Sequence, residues 1–235
     1  MPELLTVPCH PGNRGGTRKL SDVRYLVYHY TGNDGDTAMA NAKYYRDNVV
    51  QASAHYFVDD REIVQSVKDE EIAWAVGGRK WKDCDQTGGG TLHGVVTNAN
   101  SISIEMCGTL GDGSRRASET TLRNAAALGR QIMARCGIPI ERVVRHFDVT
   151  GKYCPAYLMD NRAWAAFKAR LTQPEEEDMK RYQTMEEIRR RAPWAAETVS
   201  KLVGREALVG TGAGLDLSED MLRTFVIHDR LGLYR

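Results

Sequence analysis

Arg145-His146-Phe147-Asp148-Val149-Thr150-Gly151-Lys152-Tyr153-Cys154-Pro155 sets a histidine and a cysteine eight positions apart. A lysine stands two residues before the cysteine and a proline directly after it. Far upstream, a second histidine closes an apolar run, Tyr25-Leu26-Val27-Tyr28-His29-Tyr30-Thr31-Gly32. Two imidazoles and one thiolate make a three-ligand set for zinc with a fourth position open, the catalytic rather than the structural arrangement. The close-spaced ligand pairs of a structural site do not occur in the sequence. Spacing alone leaves a second reading open. A histidine at a strand end commonly only hydrogen-bonds, and a cysteine before proline is commonly a small buried apolar residue.

Around these motifs, strand and helix patterns interleave. Residues 24–29, 55–58, 62–67, 101–106 and 142–146 are short, rich in Val, Ile and Tyr, and bounded by turn residues, which predicts strands. Asp59-Asp60-Arg61 predicts a hairpin between the second and third. Helices are expected at 37–48, 118–136 and 161–171. The middle one begins at Ser118, a good N-cap, carries Glu119 in its first turn and ends at Gly137 and Pro139. Leu122, Ala125, Ala126, Ile132 and Met133 give it an apolar face. This alternation predicts an α/β fold, a mixed central β-sheet flanked by helices; the candidate zinc site would lie at one side of it. Residues 77–100 contain Gly77-Gly78 and Gly88-Gly89-Gly90 and little periodicity, which predicts a long surface loop beside the site.

Composition narrows the classes. A length of 235 residues holds one substantial domain and a small one. With 32 basic and 31 acidic residues the net charge is +1, so nothing argues for nucleic acid as a partner. No run of 18 apolar residues occurs, so no membrane span is expected. Met1-Pro2-Glu3-Leu4-Leu5 lacks the basic start and long apolar stretch of a secretory signal. Five cysteines (Cys9, Cys84, Cys107, Cys136, Cys154) form no disulfide framework, which predicts a chain made and folded in a reducing cytoplasm.

YLVYHYTG, SAHYFVDD, IAWAVGG, NANSISIEMCG and VVRHFDVTGKYCPA follow one another in the order, and at about the separations, of zinc-dependent N-acetylmuramoyl-L-alanine amidases. From about Val23 to Leu171 the chain resembles this family, which is related to phage lysozyme-like amidases and animal peptidoglycan-recognition proteins. Within it the chain looks most like endolysins. The resemblance implies a Zn2+ ion held by His29, His146 and Cys154, and cleavage of the amide joining the lactyl group of N-acetylmuramic acid to L-alanine. It also implies that Glu105 exchanges a proton with the attacking water and the leaving amine. Lys152 would stabilise the oxyanion on the scissile carbonyl.

Local pattern alone says less. Glu105 alternates with Ile102, Ile104 and Met106, so it points away from the apolar face, as a solvated edge residue also does. Lys152 in a glycine-flanked loop is equally compatible with plain exposure. His55, Tyr56 and Trp74 are candidate substrate contacts. A tyrosine assists catalysis on this strand in phage lysozyme-like relatives, and aligning Phe57 puts His55 at its position and Tyr56 one place later. Ala75 stands where many relatives carry a histidine after the tryptophan.

After Leu171 the composition turns polar and acidic, Thr172-Gln173-Pro174-Glu175-Glu176-Glu177-Asp178. The expected organisation is a zinc amidase catalytic domain over 1–172, an acidic linker over 173–180 and a small helical C-terminal module over 181–235. Helical patterns fall near 184–192, 194–204 and 218–231. The stretch from Trp194 to Leu222 faintly resembles half of a surface-layer-homology repeat. Cell-wall binding and a stabilising or homodimerising appendage are therefore both open readings. The expected role is a phage or prophage endolysin acting on bacterial peptidoglycan after holin-type lysis. A cytosolic muropeptide-recycling amidase is the first alternative. A non-catalytic peptidoglycan-recognition module is the second, and the retained Cys154 argues against it. No HExxH motif supports a zinc peptidase.

Overall fold

The computed structural model describes residues 2–172, 181–210 and 214–234. The chain divides into two compact units, Met1–Gln173 and Pro174–Arg235. The expected acidic linker, 173–180, lies outside the described residues.

In the first unit the elements run β1 (Glu3–Thr6), β2 (Arg14–Thr17), β3 (Tyr25–Tyr30), α1 (Ala38–Asp47), β4 (Tyr56–Val58), β5 (Glu62–Gln65) and β6 (Glu71–Ala73). There follow α2 (Cys84–Thr87), β7 (Ser101–Met106), α3 (Glu119–Cys136), β8 (Val143–Arg145), α4 (His146–Thr150) and α5 (Asn161–Thr172). Six strands form a mixed sheet in the order β1-β5-β4-β7-β3-β8, while β2 and β6 make a separate antiparallel ribbon. β3 pairs in parallel with both β7 and β8, so all three run toward the same edge. The continuous burial of β3 explains its unbroken run of large side chains, because a parallel strand is covered on both faces.

One face of the sheet carries Leu26, Tyr28, Ile102, Ile104, Met106 and Val143, packed against Ala125, Ala126, Leu128 and Ile132 of α3 and Trp164, Phe167 and Leu171 of α5. α3 starts where expected, with Ser118 Oγ accepting from Thr121 N at 3.1 Å, and ends on left-handed Gly137. Gly129 sits inside this helix at a propensity cost of about 1 kcal/mol. A side chain there would collide with the Tyr28 hydroxyl, which donates to Ala125 O at 2.9 Å. The opposite face carries Val27 and Val144 with Val76, Val96 and Val149, and Phe57 and Val64 with Ala38 and Ala42 of α1.

Five elements depart from the sequence reading. β1, β2 and β6 carry no strand signal; mostly exposed β1 is a strand only through its pairing with β5. β8 stops at Arg145 because Asp148 accepts the Arg145 N–H at 2.7 Å and starts α4 at His146. The 77–100 segment contains the short α2 and is tied to α4, with Trp81 N donating to Thr150 O at 2.8 Å, Gly90 N to Phe147 O at 2.9 Å and Leu92 N to Asp148 O at 2.8 Å.

The second unit contains α6 (Met185–Arg191), α7 (Ala196–Gly204) and α8 (Glu219–Arg230). They enclose Tyr182, Ile188, Val199, Leu217, Leu222 and Val226. Thr184 and Ser218 cap α6 and α8 through their hydroxyls. Among the described residues, no helix is long and apolar enough to cross a membrane.

Candidate metal centre and substrate cavity

The centre forms where β3, β7 and β8 end. His29 is the fifth residue of β3 and lies opposite Glu105 in the register with β7. Tyr28 pairs with Arg145, so His146, the next residue, emerges beside His29. The two imidazole rings stand 4.6 Å apart, centroid to centroid. The chain then turns at Gly151 (φ 84°), where a side chain would collide with Cys84 Sγ, and returns to place Cys154 against β3. Phe147 N donates to Cys154 O at 3.0 Å, closing the loop, and Tyr30 N donates to Cys154 Sγ at 3.4 Å. One ligand atom from each of His29, His146 and Cys154 lies within 4.8 Å of the others, and all three residues are buried.

Arg145 braces this loop. Its guanidinium reaches Asp148 Oδ1 at 2.7 Å and the carbonyls of Leu158 and Met159 at 3.0 Å each. It lies over Phe147 and Trp164 at 5.2 and 5.5 Å from their ring centroids. A planar, permanently charged group suits this because it spends its donors on several acceptors in one plane while stacking.

The electrostatics suit a cation. His29 Nε2, His146 Nδ1 and Glu105 Oε2 are buried without a hydrogen-bond partner. Burial, then His146 and Lys152, holds the His29 pKa well below 6.5, and burial with Lys152 lowers that of His146 to about 4. Both rings are therefore neutral, with lone pairs free to bind metal, at physiological pH. Burial, helped by Glu105, pushes the Cys154 thiol up, and burial pushes the Glu105 carboxyl up to about 7 against the pull of Lys152. A dication reverses both effects, since it favours thiolate and carboxylate. Two imidazoles and one thiolate are the donor chemistry of zinc. Glu105 Oε1 lies 3.9 Å from His29 Nδ1, too far for a hydrogen bond but close enough to feel the same field.

The centre opens on a cavity of about 520 Å³ lined by Trp74, Trp81, His146, Thr150 and Lys152, together with Gln51, Arg79 and Asn98. The structure thus brings Lys152 and Trp74 to the cavity that His146 enters. It does not bring Tyr56 there. Tyr56 registers with Ile104, on the α3 face, and its hydroxyl donates to Asp69 Oδ1 at 2.8 Å. His55 lies on the site's face, but its ring is taken: Nδ1 is 3.0 Å from Ser103 Oγ and Nε2 2.8 Å from the Arg18 guanidinium. Burial and Arg18 lower its pKa to about 3, so it stays neutral. Sequence reasoning missed Trp81, which sits in an aperiodic segment. It also missed Arg145, whose position directly before a candidate ligand was the available signal.

Comparison with known proteins identifies the assembly. The N-acetylmuramoyl-L-alanine amidase family model matches residues 19–157. Over 161 residues the chain is 32% identical to the N-acetylmuramoyl-L-alanine amidase CwlL of Bacillus licheniformis, covering 65% of this chain and 42% of that protein. It is 33% identical over 172 residues to the amidase BlyA of Bacillus subtilis, covering 70% and 45%. The chain thus spans less than half the length of these curated relatives. Among solved structures, the catalytic domain of XlyA superposes with a TM-score of 0.56 at 30% identity, covering 72% of this chain and 99% of that one. A mutant endolysin from Bacillus subtilis gives 0.57 at 30% identity, covering 73% and 99%. The ordered motifs, the His-His-Cys cluster at the sheet edge and these matches agree, and the chain belongs to the N-acetylmuramoyl-L-alanine amidase family.

Proposed function

We propose that this protein is a zinc-dependent peptidoglycan hydrolase that cleaves the amide between the lactyl group of N-acetylmuramic acid and L-alanine. The observation that carries this reading is the buried His29–His146–Cys154 cluster, with its unpartnered imidazole nitrogens, whose His146 lines a cavity that also holds Lys152. A zinc ion held by these three residues would supply Lewis acidity toward water and the scissile carbonyl. Glu105, opposite His29, takes a proton from the attacking water and delivers it to the departing L-alanine nitrogen. Its Oε1, 3.9 Å from His29 Nδ1, stands beside the proposed ligand set, where that proton is released. The Lys152 ammonium offsets negative charge developing on the carbonyl oxygen. Arg145, Tyr30 N–H and the turn at Gly151 hold the ligands in place.

The likeness to endolysins supports a phage or prophage origin, with access to the wall through holin-type openings in the membrane. In this reading unit 1 is catalytic and unit 2 tethers the enzyme to the wall, raising its effective concentration there. The test is digestion of purified sacculi by the zinc-loaded protein, with mass spectrometry of the new ends. Release of peptides with free L-alanine amines supports the reading; ends within the stem peptide or glycan overturn it.

A further inference from the structure

The cavity wall next to the metal centre carries Trp81, with Tyr153 against it, and the hydrolytic chemistry uses neither ring. Trp81 and Tyr153 are each 44% exposed and stand edge to face with centroids 5.9 Å apart. Hydrogen bonds hold the backbone of Trp81 and the hydroxyl of Tyr153. Trp81 N donates to Thr150 O at 2.8 Å, Cys84 N donates back to Trp81 O at 3.3 Å, and Tyr153 Oη donates to Asp83 Oδ2 at 3.2 Å. Tyr153 lies between Lys152 and Cys154 in the chain, and Trp81 shares the cavity wall with His146 and Lys152. A wide ring, fixed in place and open to water beside a reacting centre, is what a pyranose needs. The C–H bonds on one face of a sugar point into the π-face, and both surfaces leave water with little conformational cost.

Resting on the reaction proposed above, we propose that Trp81, edge-supported by Tyr153, is the platform on which the substrate's muramyl ring stacks during cleavage. That ring is one lactyl ether away from the scissile carbonyl, so it must lie beside the groups that act on the carbonyl. Trp81 is the exposed aromatic side chain on that wall. Trp74, also on the cavity wall, is half-buried with its indole packed against Gly15 and so offers less open ring face. The platform makes the enzyme selective for a glycan-bearing amide over the same amide without its sugar.

The test uses the full-length, zinc-loaded protein with 5-fluorotryptophan at its four tryptophans, the Trp81 signal being assigned by its loss in Trp81→Phe. Titration with the peptide-free disaccharide GlcNAc-MurNAc should shift the Trp81 fluorine resonance saturably. A Trp81 signal that stays still while saturating disaccharide is present overturns the platform. Kinetically, Trp81→Ala should lower the preference (kcat/KM ratio) for a disaccharide-peptide over an N-lactoyl-L-alanyl peptide on the order of 10-fold, and Trp81→Phe should restore most of it. Equal losses on both substrates would make Trp81 a loop support only and also overturn the proposal. If the wild-type protein cleaves neither substrate, the hydrolytic reading fails, while the fluorine titration still decides the platform.

Discussion

Replacing Glu105 with glutamine should make the metal-free protein more stable at alkaline pH. The folded carboxyl is pushed from 4.5 up to about 7, chiefly by burial. In the unfolded chain it ionises near its ordinary value. Between these two points the unfolded chain has shed its proton and the folded one has kept it, so stability falls as pH rises through the window. Above pH 7 the full cost stands, and at 1.36 kcal/mol per pH unit it amounts to about 3 kcal/mol. The side chain is 20% exposed, so solvent relaxation trims this to about 2 kcal/mol. Glutamine keeps the shape and cannot ionise. After chelation, Glu105→Gln should therefore melt about 4–8 °C above wild type at pH 8 and close to it at pH 4, for a domain of this size. Circular dichroism melts of both proteins at the two pH values measure this directly. Zinc should shrink the advantage by favouring the carboxylate, while turnover of the variant drops about 10²–10⁴-fold. No gain at pH 8, or an equal gain at pH 4, refutes the reasoning.

Cys154→Ala removes a proposed zinc ligand whose sulfur otherwise accepts from Tyr30 N, so zinc content by elemental analysis and activity should fall together; retained zinc with lost turnover counts against the ligand set. Lys152→Ala should keep its zinc and lose kcat on the order of 10²–10³-fold with little change in KM. Tyr56→Phe deletes a hydroxyl bonded to Asp69 and Gln65 away from the cavity, so denaturant melts should show a cost of about 1 kcal/mol with kcat unchanged. Each unit encloses an apolar cluster of its own, so truncation after Thr172 should leave soluble muropeptide turnover intact and, if the second unit tethers as proposed, weaken sedimentation with whole sacculi; unchanged sedimentation removes the tethering role.

Much of this centre was legible because two local rules reach it. Alternation along Ser101–Met106 puts Glu105 opposite Ile102, Ile104 and Met106, and the structure packs those three against α3 and α5. Capping residues fixed α3 at both ends. What escaped depends on partners distant in sequence. β1 is four mostly exposed residues that become a strand only beside β5, and β2 and β6 define one another. Arg145 looks like any strand-end arginine until Asp148, Leu158 and Met159 supply its acceptors. Trp81 lies in a segment without periodicity whose order comes from its hydrogen bonds to α4.

His55 and Tyr56 show where the local rule stops. Parity separates them: Tyr56 shares the face of Ile104, whereas His55 shares that of Ser103, Glu105 and His29. The side of the sheet is thus readable from the pleat, where a one-residue slip exchanges the two faces. Height along the strand is not. Phe57, not His55, lies level with Glu105, so His55 sits one pleat repeat further from the strand ends where His29, His146 and Cys154 gather. At that height Arg18 and the Glu71 carbonyl reach its Nε2 from the β2 and β6 side. Neither partner is near His55 in the chain. A histidine on the correct face therefore becomes a neutral structural group rather than a base, and register with β7, not residue type, decides which.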